Sequence, residues 1–317
     1  MKGSSGGAEG RNRPAGEPGP GRGEKARTYV VDGHPIPAPA LAPGLYLVAT
    51  PIGNLGDVTL RALAVLSAAD ILACEDTRVT AVLLRRFGIS AKLLAYHDHN
   101  AARQRPNLLE ALDAGKSVAL VSDAGTPLVS DPGYRLAAEA RAAGHEVVAV
   151  PGASAVLTAL VASGLPTDAF LFAGFLPPKT AGRRKRLQEL APVPATLVFF
   201  ESAQRVADSL ADMAEVLGRD REAAVARELT KAFEATRRGH LGALAEEYAG
   251  APPPKGEIVV VVGPPVEKAV TADEADRLLM ALLADSAIGE AAAEAAAVTG
   301  LPRRDLYRRA LQLKDRR

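Results

Sequence analysis

The sequence predicts an α/β protein of two α/β domains followed by a small helical segment of helix-turn-helix type. Three observations carry that expectation. Short apolar, β-branched runs alternate with helical stretches from Gly44 onward, the spacing of parallel βαβ units joined right-handedly. At least three of these strands end in loops of Gly, Pro, Ser and Asp. From Thr271 the pattern changes to helices alone, with the turn Thr299-Gly300-Leu301-Pro302 between the last two.

Residues 1–43 hold 9 Gly and 7 Pro with little apolar periodicity, so they read as a disordered extension. The domains are expected at 44–165 and 166–268, and the helical tail at 269–317. Leu45–Thr50 is the first predicted strand, and Pro51-Ile52-Gly53-Asn54-Leu55-Gly56-Asp57 opens the helix 59–67. Gly53 and Gly56 leave backbone exposed there, without the Lys of a phosphate-binding loop. The strand 70–74 ends in Glu75-Asp76-Thr77-Arg78, which suits either a helix cap or a charged site.

A helix at 79–87, a strand at 92–96 and a helix at 103–114 follow. His97-Asp98-His99 sits on a loop without a third cluster, a poor metal site, so no metal is expected. The central strand 117–122 is apolar enough to be buried on both faces and stops at Asp123. Gly125, Thr126 and Pro127 come next, then Ser130-Asp131-Pro132-Gly133 and a helix from Tyr134. A carboxylate, bare backbone and a hydroxyl thus gather at the carboxyl end of a parallel strand, where open α/β sheets bind ligands. The strand 146–150 repeats the device with Pro151-Gly152-Ala153-Ser154-Ala155.

The second domain begins near Ala169. Five basic residues and no acid lie between Lys179 and Arg186, a candidate phosphate contact. The strand 195–200 ends at Glu201-Ser202, with Arg205 one turn on; both side chains are expected to face one crevice. After the strand 223–227, Glu228, Lys231 and Glu234 form a candidate cleft wall, and 258–262 is the last strand. From Leu301 onward seven basic residues face two acidic ones.

Composition excludes several classes. A formal charge of +1 gives no global pull toward nucleic acid, so basic surface must be local. The single Cys74 excludes a disulfide scaffold or a Cys-based metal site and suits a reducing cytoplasm. No apolar run reaches membrane-spanning length, and no signal-peptide core is seen at the N-terminus.

Together ATPIGNLGD, EDTR, SDAGTP-x-x-SDPG, PGASA and FFES-x-x-R resemble the tetrapyrrole-methylase superfamily of S-adenosylmethionine enzymes, and within it the branch that methylates a cytidine 2′-oxygen in the decoding region of 16S rRNA. The resemblance runs from about Gly44 to the C-terminus. It implies two α/β domains with a cofactor cleft between them, S-adenosylmethionine as cofactor, and 16S rRNA or the small ribosomal subunit as partner. It also implies a homodimer. It assigns the cofactor pocket to Pro51, Ile52, Gly53, Asp123, Gly125, Thr126, Ser154 and Ala155. Glu75, Arg78, Glu201, Arg205, Lys231 and Glu234 are the candidates on the acceptor side: Arg and Lys for phosphates, a carboxylate or a neutral Lys as base. A methylase of a corrin or porphyrin precursor and a non-catalytic RNA-binding module are the alternatives. The EDTR and FFES-x-x-R motifs and the basic tail speak against the first, the three retained cofactor loops against the second.

Overall fold

The structure is a computed structural model that describes residues 27–265 and 271–314. It opens with a hairpin, β1 (Thr28–Val31) and β2 (His34–Pro37), in antiparallel register. The expected disordered extension is corrected here: residues 28–37 are ordered, while 1–26 lie outside the described residues. Asp32 and Gly33 both have positive φ (49° and 81°), the two-residue turn that matches strand twist. Tyr29 is buried, Val30 N–H donates to Phe87 O at 2.7 Å, and the Arg27 guanidinium donates to the carbonyls of Ala68 and Ala69.

The first sheet holds β3 (Gly44–Val48), β4 (Ile71–Cys74), β5 (Leu93–Ala95), β6 (Ser117–Val121) and β7 (Val147–Val150). It is wholly parallel, in the order β5-β4-β6-β3-β7. Its crossovers are α1 (Leu60–Ala68), α2 (Thr77–Arg86), α3 (Ala101–Asp113) and α4 (Tyr134–Ala142). Every residue of β6 is buried, which is why that run reads as continuously apolar. Because β3, β4 and β6 are neighbours, three of the small-residue or charged loops leave adjacent strand ends.

The next helix, α5 (Ala155–Ser163), ends at Gly164 in the left-handed conformation (φ 64°). Its Val156, Ala159 and Leu160 pack not on the first sheet but on Val198, Ala224, Ala226, Val259 and Val261 of the second. Ile52 joins that cluster, so the two sheets are tied together through apolar contact.

The second sheet comprises β8 (Phe170–Phe175), β9 (Thr196–Glu201), β10 (Glu222–Arg227), β11 (Ala235–His240) and β12 (Ile258–Val262), in the order β11-β10-β12-β9-β8. Only β8 and β9 pair in parallel; the others are antiparallel. On the face away from α5 lie α6 (Thr180–Leu190), α7 (Val206–Leu217) and α8 (Leu241–Ala249), over a core that includes Leu187, Phe199, Leu210, Met213, Val260 and Leu241. Strand β11 is polar, with Arg237 and Arg238 exposed. Its place at the sheet edge explains both that composition and its invisibility to an apolar-pattern reading.

Three tail helices, α9 (Ala272–Asp285), α10 (Ile288–Thr299) and α11 (Arg303–Lys314), enclose a core of their own around Leu279, Ala292, Ala295, Leu306 and Ala310. A capping box between Thr271 and Glu274 starts α9, and Gly300 (φ 69°) turns α10 into α11. Among the described residues no helix is long and apolar enough to cross a membrane.

Candidate functional site

The loops after β3 and β6 are stitched to each other by an isolated bridge. Thr50 N–H donates to Gly125 O at 2.9 Å and Gly125 N–H to Thr50 O at 3.0 Å. Gly125 needs its freedom here, with φ 81°. The Ser122 hydroxyl donates to Gly125 O at 3.0 Å, and the Thr126 hydroxyl donates to Ala153 O, which draws in the loop after β7. In that loop Ser154 caps α5, its side chain accepting from Leu157 N–H.

Two adjoining cavities open between the sheets. The larger, about 690 Å³, is lined on one side by Ile52, Gly125, Thr126, Asp131, Ser154 and Ala155, and on the other by Phe200, Ser202, Gln204, Gly256 and Ile258. The smaller, about 330 Å³, is lined by Pro51, Ile52, Gly53, Asp123, Val79 and Val82, with Lys231 and Glu257 opposite. All eight residues expected in a cofactor pocket therefore line one cavity or the other, and Ile52, Ala124 and Glu257 line both.

The cleft wall from the second sheet is a strained loop. Glu228 and Thr230 hold φ of 52° and 64°, a region unfavourable to residues with a Cβ. Lys231 Nζ donates to Glu228 Oε1 at 2.9 Å and lies 3.2 Å from Glu257 Oε2. Burial works against its charge, but those two carboxylates outweigh it and hold its pKa above the ordinary lysine value. The same bond to Lys231, with the Glu257 N–H, holds Glu228 low. Lys231 is thus a fixed cation, which corrects the expectation that it could serve as a neutral base.

Gly53 explains its own identity: a Cβ there would stand 2.5 Å from Lys231 Cγ and 3.0 Å from Thr230 Oγ1. Its bare backbone admits the opposite domain's side chain, not a ligand alone. Asn54 N–H donates to Thr230 Oγ1 at 3.1 Å across the same seam. Gly256 is equally constrained, since its Cβ would overlap the Glu228 carboxyl, 2.2 Å from Oε1. Glu228, Thr230, Gly256 and Glu257 do not read as one site along the chain, because only the β10–β12 pairing, Arg227 opposite Ile258, brings the two segments together.

The other acceptor-side candidates separate. Glu75 is half-buried at the end of β4, its pKa raised by burial and by Asp123 and Asp98. Asp76 N–H donates to Asp123 Oδ1 at 2.9 Å, and Arg78, exposed, folds back on Asp76 at 2.5 Å, holding that carboxyl at about 2. Glu234 is exposed and accepts from Thr230 N–H, closing the strained loop. Glu75, Arg78, Arg205 and Glu234 line neither cavity.

Against expectation, Arg205 does not line the crevice, and Glu201, although on the wall of the larger cavity, is almost wholly closed in. The Glu201 side chain is 1% exposed; it accepts from Ser202 N–H at 2.8 Å and from the Ser209 hydroxyl at 2.5 Å, with Arg205 Nε 3.5 Å away. Arg205 donates to Leu176 O and Pro177 O. The pair braces the β9–α7 loop against the β8–α6 loop. Glu201→Gln should therefore cost about 1–3 kcal/mol in denaturant unfolding, by misfitting a donor against buried donors, while turnover per folded molecule stays within a few-fold. A fall of about 10²-fold at unchanged stability would restore a catalytic role.

The basic run of α6 is only partly free, with Lys185 and Arg186 exposed and the two arginines before them turned to acids of α7. Arg183 is buried and donates to Asp212 Oδ2 at 2.5 Å; Arg184 takes Asp212 Oδ1 and Glu215; Arg186 takes Glu189. On α11, Arg309 pairs with Asp276, whereas Arg304 and Arg308 are mostly exposed at 87% and 64%, with Asp305 as their one acidic neighbour among the described residues.

Comparison with known proteins agrees with this architecture. Residues 44–245 match the Tetrapyrrole (Corrin/Porphyrin) Methylases model, and 269–314 match the RsmI C-terminal HTH domain. The ribosomal RNA small subunit methyltransferase I of Mesorhizobium japonicum is 61% identical over 88% of this chain and 95% of its own length. The protein of that name from Escherichia coli O157:H7 is 47% identical over 84% and 94%. A solved uroporphyrin-III C-methyl transferase of Thermus thermophilus, complexed with S-adenyl homocysteine, shares the fold at TM-score 0.50 and 21% identity, over 69% of this chain and 96% of that one. With its paired sheets, its cleft and its helical tail, the chain belongs to the tetrapyrrole methylase family, in the group of ribosomal RNA small subunit methyltransferase I.

Proposed function

We propose that the chain transfers a methyl group from S-adenosylmethionine to the 2′-oxygen of a cytidine in the decoding region of 16S rRNA. The observation that carries this reading is the pair of adjoining cavities between the sheets, one walled by small-residue loops and one by a fixed cation. A cavity of about 690 Å³ is the size that small-molecule cofactors occupy. Its main-chain walls at Gly125, Ser154 and Gly256, with apolar Ile52 and Phe200, suit a nucleoside joined to an amino acid. That cofactor supplies an electrophilic methyl on a positively charged sulfur.

Under this reading Ile52, Gly125, Thr126, Ser154 and Ala155 hold the cofactor, with Pro51, Gly53 and Asp123 at the passage to the smaller cavity. Lys231 steadies a phosphate of the acceptor strand there, as a charge fixed in advance, while the acceptor ribose reaches into the larger cavity. What the residues contribute is position and exclusion of water, so that oxygen, methyl and sulfur align. The homodimer implied by the resemblance and a cytoplasmic setting belong to the same reading.

The RNA interface falls to α11. Replacing both Arg304 and Arg308 by Ala should weaken small-subunit RNA binding and lower the salt slope by about 1 for each phosphate no longer neutralised, without altering cofactor affinity. An unchanged slope would remove α11 from the interface. For the function itself, mass mapping of rRNA from a strain lacking this gene should show one 2′-O-methylcytidine missing, restored by the wild-type copy. A complete methylation pattern in that strain would contradict it.

A further inference from the structure

Three carboxyl groups line the larger cavity: Asp131, Glu201 and Glu257. Two are engaged: Glu201 is closed in by Ser202, Ser209 and Arg205, and Glu257 pairs with Lys231. Asp131 is different. The charged groups acting on it are all acidic, Glu75 and Asp98 from the ends of the neighbouring strands and Asp123 from its own loop. The nearby Ser122 hydroxyl opposes them, although its proton is directed to Gly125 O.

Asp131 is held there by a costly backbone. Leu128 and Ser130 both sit at positive φ, 71° and 62°, and Gly133 at 126°. Such conformations persist only where the surroundings over-determine them. A Cβ on Gly133 would meet the Leu120 side chain at 2.6 Å, so the exit of the loop is pinned to β6. The result is a half-buried carboxylate without a counter-ion among the described residues, fixed on the wall of the cavity.

We infer that Asp131 is the general base of the methyl transfer, accepting the proton of the acceptor ribose hydroxyl. This rests on the ribose 2′-oxygen reading above. As the oxygen–carbon bond forms, the carbon–sulfur bond breaks with its electron pair left on sulfur, whose positive charge is neutralised. The hydroxyl proton passes to the Asp131 carboxylate and from there to water. Burial, then Glu75, push the Asp131 carboxyl up to about 6, so it is ionised at neutral pH yet more basic than an ordinary carboxylate. Lys231, already a cation, cannot take this part.

The test has two arms. In the free protein, carboxyl-carbon NMR with labelled aspartate should show a titration near pH 6 that Asp131→Asn removes. In single-turnover methyl transfer to small-subunit RNA, the wild-type rate should fall as pH drops below about 6, as the base becomes protonated. Asp131→Asn should lose about 10²-fold or more, with calorimetric affinity for S-adenosylhomocysteine within a few-fold. Asp131→Glu should recover part of the rate. Should Asp131→Asn fail to fold, Glu75→Gln gives an independent reading: with one carboxylate removed, the acidic limb should move to lower pH. Transfer by Asp131→Asn near the wild-type rate and with the same pH profile, or a limb unmoved in Glu75→Gln, overturns the inference alone. No transfer to RNA by the wild type overturns the functional reading and the inference with it.

Discussion

Gly53→Val is expected to abolish measurable cofactor binding and to lower methyl transfer by about 10²-fold or more, with the fold kept. A Cβ at this position would already stand 2.5 Å from Lys231 Cγ, and the two further methyl groups of Val extend into the same seam. Lys231 cannot simply swing aside, because Glu228 and Glu257 both hold its ammonium. The loop 51–57 must instead lift away, and with it Ile52, which lines both cavities and packs against α5 and the second sheet. Apart from the lost Ile52 packing the strands and helices of both sheets are unaltered, so far-ultraviolet circular dichroism should be unchanged. Gly53→Ala, with one methyl, should fall between the two. Calorimetric titration with S-adenosylmethionine decides the matter, and wild-type affinity in Gly53→Val would show that the seam is not part of the pocket.

The second large effect is on stability. Arg183→Met should destabilise the protein by about 3 kcal/mol and leave RNA affinity as it was. The Arg183 and Asp212 side chains are each 4% exposed, and removing the guanidinium strands one carboxylate oxygen in the interior. The other oxygen keeps Arg184 at 2.7 Å, which places the cost near the lower end for a broken buried ion pair. Asp212→Leu made in the same background should recover part of the stability, since the stranded charge is then gone. Urea unfolding measures the first effect and filter binding the second. Unchanged stability with weakened RNA binding would mean that α6 faces the nucleic acid after all.

Both variants mark where sequence and structure part. The parallel sheet was legible because a buried strand such as 117–121 can only read as an apolar run, and because its small-residue loops fall at one edge by topology. What makes those loops a site is less visible. Gly53 reads as open backbone, yet its neighbour is Lys231, brought close only when the second sheet docks. The Glu228–Lys231–Glu257 network depends on β10 pairing with β12 across about thirty residues, which no local pattern encodes. Charge is ambiguous in the same way: Arg183 and Arg304 look alike in the chain, and only the place of Asp212 on α7 separates a buried brace from an exposed cation. The hairpin at 28–37 was hidden by composition, although Asp32-Gly33 carried the turn.

The central claim concerns where the methyl group goes, and its chemistry offers a direct reading. Purified protein, S-adenosylmethionine with a heavy-isotope methyl, and small subunits from a strain lacking this gene should yield one heavy methyl in the 16S rRNA. A 2′-O-methyl group blocks attack of that oxygen on its phosphate. Alkaline hydrolysis should therefore release the label in a dinucleotide whose 5′ residue is cytidine, with the mass of the base unchanged. Label released in a mononucleotide with a heavier base, or transfer to a tetrapyrrole precursor in place of RNA, would contradict the account.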